Sequence, residues 1–166
     1  MPVRPIVYYP DPVLKLPAEP VSAFDADLRA LADDLLDTMR AAPGIGITAP
    51  HIGVLQRLVV IALSPDDGVR HYANPEVIET SAERIRHTEG SVSLPGVTEE
   101  VERAARVRVR YRDLDGVEHE ETADGLLAVC LQHEIDQLDG IFWLQRLSRL
   151  KRDRLLRRYE KTSAPR

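Results

Sequence analysis

The feature that most constrains this fold is a change of hydrophobic period at Asp124. Before it, Arg106-Val-Arg-Val-Arg-Tyr111 alternates strictly, Asp115-Gly116 marks a tight turn and Val117 to Thr122 returns, which predicts a hairpin with one solvated face. From Asp124 the spacing becomes helical: Leu127, Leu131, Glu134 and Leu138 share one stripe, and Asp139-Gly140 predicts its end. A half-buried hairpin and an amphipathic helix in direct succession must cover their apolar faces within one core. At 166 residues the chain is long enough for one such core and short for two, so a single domain over residues 1–166 is expected.

The rest of the chain adds elements around this centre. Proline recurs through the opening residues to Pro20, which read as an extended wrapping arm. Ser22 and Asp25 carry a capping signal, and Leu28, Leu31, Leu35 and Met39 recur at spacings of three and four. A helix from about Asp25 to Arg40 is predicted, stopped by Pro43-Gly44. A glycine-rich turn over Gly44 to His51 follows, then two β-rich runs, Leu58 to Leu63 and Tyr72 to Ile78, separated by a turn at Ser64 to Gly68. A final helix is expected over about 148–161. Strands in the middle with helices at the start, middle and end indicate an α+β class rather than an alternating parallel sheet.

Composition removes several function classes. No apolar run approaches the ~20 residues of a spanning helix, so no membrane partner is expected. The N-terminus lacks a long apolar stretch followed by a small-residue cleavage site, and a cytoplasmic protein is expected. The single cysteine, Cys130, excludes an internal disulfide and a four-cysteine zinc site. Charge is uneven: residues 146–166 carry nine Lys/Arg against two acids, whereas residues 1–145 carry thirteen against twenty-five. Such a basic tail suits either a solvated helix face or contact with RNA or phosphate.

The helix after the hairpin holds Gln132-His133-Glu134-Ile135-Asp136-Gln137-Leu138. The zinc-hydrolase pattern His-Glu-x-x-His sets two imidazoles one turn apart on a metal, with the Glu taking a proton from bound water. Gln137 stands where the second imidazole would be. His133 and Gln137 share a face and Glu134 lies about 100° round, a pattern open to a structural or a catalytic reading.

Two further stretches accompany it: Gly44-Ile-Gly-Ile-Thr-Ala-Pro-His51, and Glu89-Gly-Ser-Val-Ser93 followed by Leu94-Pro95-Gly96. In order, spacing and flanks the three segments resemble the motifs of the peptide deformylase family: Gly-x-Gly-hydrophobic-Ala-Ala-x-Gln, Glu-Gly-Cys-hydrophobic-Ser and Gln-His-Glu-hydrophobic-Asp-His-Leu. The resemblance spans residues 3 to 161. It implies mixed antiparallel sheets packed around a central helix that carries the His-Glu motif, with a C-terminal helix. It implies an Fe²⁺ or Zn²⁺ cofactor, held in the family by the Cys of the second motif and both His of the third. Those positions are Ser91, His133 and Gln137 here.

The resemblance also implies roles for retained positions. Ile45 and Gly46 would bind an N-formylated peptide as an added strand, the Val92 amide and His51, which stands where the family's glutamine helps to hold the formyl carbonyl oxygen, would stabilise an oxyanion, and Glu134 would transfer the proton. Glu89 and Arg103 match an internal ion pair. Cys130 reads as a small buried core residue.

A serine hydroxyl and a glutamine carbonyl replace thiolate and imidazole poorly. Activity on N-formylmethionyl peptides is therefore expected to be weak or absent. His51, where the family has Gln, opens two alternatives: a rearranged metal site of His51 and His133 completed by Gln137 or Ser91, with His87 a further candidate, or a metal-free lining or acid/base residue. The function readings are accordingly an amide hydrolase of altered substrate, or a non-catalytic homologue that binds peptide and contacts the ribosome through its basic helix.

Overall fold

The computed structural model describes residues 3–163. The first two residues, and the last three of the basic tail, lie outside the described residues. In chain order the elements are helix α1 (Ala26–Ala41), strands β1 (Gly46–Thr48), β2 (Leu58–Ile61), β3 (Arg70–Thr80), β4 (Arg84–Ser91), β5 (Leu94–Ala104), β6 (Arg106–Arg112) and β7 (Glu118–Asp124), and helices α2 (Gly125–Leu138) and α3 (Arg149–Ser163). The five-stranded sheet has the order β1-β2-β3-β6-β7, β4 and β5 form a two-stranded sheet, and all pairings are antiparallel.

Both periodicities that surround Asp124 appear as expected. In β6, Val107 and Val109 are buried while Arg106, Arg108, Arg110 and Arg112 face outward. The outward arginines meet Glu79, Glu118 and Glu120 on the flanking strands, which supplies opposite charge across the solvated face. α1 starts at Asp25, whose carboxylate accepts the Leu28 amide at 3.1 Å, so Asp25 rather than Ser22 is the cap.

The central strand explains why its sequence does not alternate. All four residues of β2 are buried. Val59 and Ile61 pack with Leu131, Ile135 and Leu138 of α2, whereas Leu58 and Val60 pack with Leu35 and Met39 of α1. Helices cover both faces, so both faces are apolar. A third cluster seats Leu94, Val97 and Val101 of β5 against Phe142, Trp143, Leu144 and Leu155.

The opening arm is extended apart from a single turn of 3-10 helix at Pro12–Lys15. It straps the molecule through backbone bonds from Val7 to His51, Tyr9 to Ser93, Ala18 to Leu138 and Glu19 to Leu55. Gly140 ends α2 with φ 78°, and a Cβ there would lie 2.5 Å from the Lys15 carbonyl oxygen, so the arm passes where only glycine fits. The glycine-rich segment expected as a turn contains β1 and a 3-10 helix, Ala49–Ile52. The β4–β5 hairpin had no strand signal recognised in the sequence, because six of the eight β4 residues are charged or otherwise polar. Among the described residues no helix is long and apolar enough to cross a membrane.

Candidate active site

α2 runs beneath the large sheet and closes one end of a cleft of about 570 Å³ with Cys130, His133 and Glu134. The cleft lies between two open sheet edges. On one side stand Ile45 and Gly46 at the start of β1, which pairs with β2 alone; on the other stand Ser91 and Val92 at the end of β4, which pairs with β5 alone. Each edge offers unpaired backbone of the kind an extended peptide can join.

His133 is held from behind. Its Nδ1 donates to Glu89 Oε1 at 2.8 Å, and Glu89 receives both Nε and Nη2 of Arg103 at 2.8 Å each. Arg103 Nη1 continues to Asp136 at 2.7 Å, and Asp136 takes two bonds from Arg146. This alternating chain ties α2 to β4, β5 and the 3-10 helix Trp143–Arg146, and leaves His133 Nε2 as the nitrogen available to the cleft. Burial disfavours the Glu89 carboxylate, but its bonds from Arg103 and His133 outweigh this and hold its pKa down at about 2. Burial likewise works against charge on His133, and the Glu134 and Glu89 carboxylates overcome it and raise its pKa.

Glu134 has no such partner. Its carboxyl is raised by burial, and its Oε1 is buried with no hydrogen bond. The same group explains Gly46: a Cβ at that position would sit 2.5 Å from Glu134 Oε2. Gly46→Ala is therefore expected to lower stability by roughly 1–3 kcal/mol and to displace Glu134. In the Glu134→Ala background the same change should cost less than half as much, a coupling that denaturant unfolding of the four proteins measures directly.

His51 lies on the 3-10 helix after β1. Its Nδ1 receives the Thr48 amide N–H at 2.9 Å and lies 2.9 Å from the Thr48 hydroxyl, while its Nε2 is buried without a partner. Burial, then the nearby His133 charge, lowers its pKa to about 3, so the ring is neutral. Ser91 lines the cleft, with its hydroxyl accepting the Ser93 amide at 3.1 Å. His87 stands on the cleft wall with its Nδ1 2.9 Å from the Thr88 carbonyl. Cys130 belongs both to the core and to the cleft lining, and burial followed by Glu134 and Glu89 pushes its thiol up to about 12. Gln137 is placed differently: it is buried, does not line the cleft, and donates its amide to the Leu14 carbonyl at 2.8 Å. Of the four residues expected around a relocated ion, the structure brings His51, His133 and Ser91 to the cleft and leaves Gln137 outside it.

Three comparisons bear on the site as a whole. The sequence pattern of the polypeptide deformylase family matches residues 3–153. The chain belongs to this family. It is 63% identical over 161 residues to a peptide deformylase-like protein of Rhizobium meliloti (strain 1021), covering 97% of this chain and 94% of that one. A second protein of the same organism, named peptide deformylase, is 44% identical over 169 residues and covers 100% and 97%. The crystal structure of a peptide deformylase from Legionella pneumophila matches with a TM-score of 0.92 at 40% identity, covering 97% of this chain and 95% of that one. The family and the α+β deformylase fold expected from the three motifs are both borne out.

Peptide deformylases are metalloenzymes. The donors in this chain do not compose such a centre. Among the described residues no three His, Cys, Asp or Glu side chains converge to hold a metal ion. The position of the thiolate offers a neutral hydroxyl, and the position of the second imidazole offers an amide engaged with the arm. Two participants lay outside the residues singled out from the sequence. Arg146 extends the ion chain behind His133, and Thr48 orients His51 through a Thr-x-x-His spacing that matches a capping box.

Proposed function

We propose that this chain keeps the peptide cleft of the deformylase family and removes the N-formyl group from N-formylmethionyl peptides weakly or not at all. The observation that carries this reading is the Gln137 amide bound to the Leu14 carbonyl, which turns a metal-ligand position into a tether for the arm. Without metal-activated water, Glu134 acting alone as a base supplies only ~10²–10⁴-fold. The relation to named proteins agrees with it. In Rhizobium meliloti the deformylase-like protein is more similar to this chain than is the protein named peptide deformylase.

In this reading Ile45 and Gly46 hold the peptide backbone, the Val92 amide and His51 face its terminal carbonyl, and Glu134 lies beside the nitrogen. The partner is an N-formylated or related peptide in the cytoplasm. The arginines and lysines of α3 would add a contact to ribosomal RNA, a reading supported by charge alone. The test is a paired assay with formyl-Met-Ala-Ser on protein purified in the presence of Fe²⁺ or Zn²⁺. We expect saturable binding, recovery of the peptide with its formyl group, and turnover within a few-fold of the Glu134→Gln variant. Fast hydrolysis that disappears in Glu134→Gln would refute the proposal.

A further inference from the structure

Strand β4 turns one face inward. Ile85, His87, Glu89 and Ser91 are buried or half-buried and alternate with the exposed Arg84, Arg86, Thr88 and Gly90. His87, Glu89 and Ser91 all line the cleft, and two of these three polar side chains are already committed. Glu89 is taken by Arg103 and His133, and the Ser91 hydroxyl accepts the Ser93 amide. His87 differs. Its Nδ1 lies 2.9 Å from the Thr88 carbonyl oxygen, and because a carbonyl only accepts, that nitrogen carries a proton. In the neutral ring Nε2 then keeps the lone pair, and among the described residues it makes no hydrogen bond. The α2 side chains that line the cleft ahead of His133 are Leu126, Val129 and Cys130, two hydrocarbons and a thiol of weak hydrogen-bonding power.

An acceptor on such a wall is served by water while the cleft is open, and a ligand that displaces the water without replacing its bond leaves the nitrogen desolvated and unpaired. The wall therefore favours a ligand that brings a donor. We propose that His87 is a specificity-determining residue, which selects peptides whose first side chain ends in a carboxamide, as glutamine does, over those that begin with methionine. The inference rests on the peptide-cleft reading, which sets the peptide's terminal nitrogen beside Glu134. One inward step along β4, ~7 Å, separates His87 from Glu89, which holds the neighbouring His133. A side chain of the length shared by glutamine and methionine spans that step. Only glutamine has an N–H to give to Nε2 at its end, because a thioether donates nothing.

Calorimetric titration of the full chain with formyl-Gln-Ala-Ser and formyl-Met-Ala-Ser measures the selection. The glutamine peptide should bind roughly fivefold tighter, the worth of one neutral hydrogen bond. His87→Phe, which keeps a ring and removes both nitrogens, should reverse the order, and His87→Leu should do the same. Imidazole ¹⁵N NMR of the unaltered chain gives a reading that needs no variant: the glutamine peptide should move the His87 Nε2 resonance and the methionine peptide should leave it near its unliganded position. Equal affinities, a preference for methionine, a glutamine preference that survives in His87→Phe, or an Nε2 resonance indifferent to the glutamine peptide would each overturn the proposal while leaving the peptide cleft intact. Failure of both peptides to bind would overturn the cleft reading itself, and the selection with it.

Discussion

The Ser91→Cys, Gln137→His double variant is expected to bind close to one Zn²⁺ or Fe²⁺ per chain and to gain deformylase activity by at least ~10²-fold, with little gain from either single change. The expectation follows from what surrounds the altered positions. His133 is already oriented by the Glu89–Arg103–Asp136–Arg146 chain with its Nε2 free for the cleft, residue 137 lies one turn further along the same face of α2, and Ser91 already lines the cleft. Each single variant leaves two protein ligands at most, too few for a stable site. Losing the bond from Gln137 to Leu14 should lower stability by about 1 kcal/mol, which metal binding offsets in the double variant. Metal content by elemental analysis and turnover of formyl-Met-Ala-Ser separate the outcomes. Metal without activity would place the divergence in the cleft, and no metal would show that the ion chain no longer presents His133.

The second large effect belongs to Arg103. Arg103→Leu should destabilise the fold by about 3–5 kcal/mol, since it leaves the Glu89 carboxylate buried without its bidentate partner and frees Asp136 from one of its two arginines. The penalty should depend on pH with a definite sign. In the native protein the Glu89 pKa lies near 2, below its ordinary value of 4.5, so its contribution is present above pH 4.5 and is lost as pH falls toward 2. Without Arg103 the same burial favours the protonated acid, so acid relieves the variant while it weakens the native chain. Urea unfolding at pH 7 and pH 4 should therefore show a gap that narrows at the lower pH. A gap of the same size at both would contradict the assignment of the penalty to Glu89.

Much of this architecture was readable from residue patterns where burial is one-sided. The β6–β7 hairpin and the α2 stripe face the core on one side only, and their apolar spacing declares the period. Tertiary cover hid other elements. β2 is apolar throughout because helices cover both faces, so its extent came out two residues long at the C-terminal end, and β4 is too polar to stand out before its pairing with β5 is known. β1 is only three residues long.

The site divides in the same way. Motif order placed His51, Ser91, Val92, His133 and Glu134 at one cleft, and the retained Glu89–Arg103 pair was legible as structure. The direction of Gln137 was not legible, because it depends on an arm 123 residues earlier in the chain. Nor was the use of His51 Nδ1, which depends on a backbone amide rather than a side chain.

The central claim is that Ser91 and Gln137 have removed the family's metal centre while the fold and cleft remain. Metal content per chain, measured by elemental analysis on folded protein purified without oxygen or chelators, tests it most directly. The account expects far less than one Fe²⁺ or Zn²⁺ per chain, with no change in the His51→Ala variant. A value near one that falls in His51→Ala would contradict it and establish a relocated metal site.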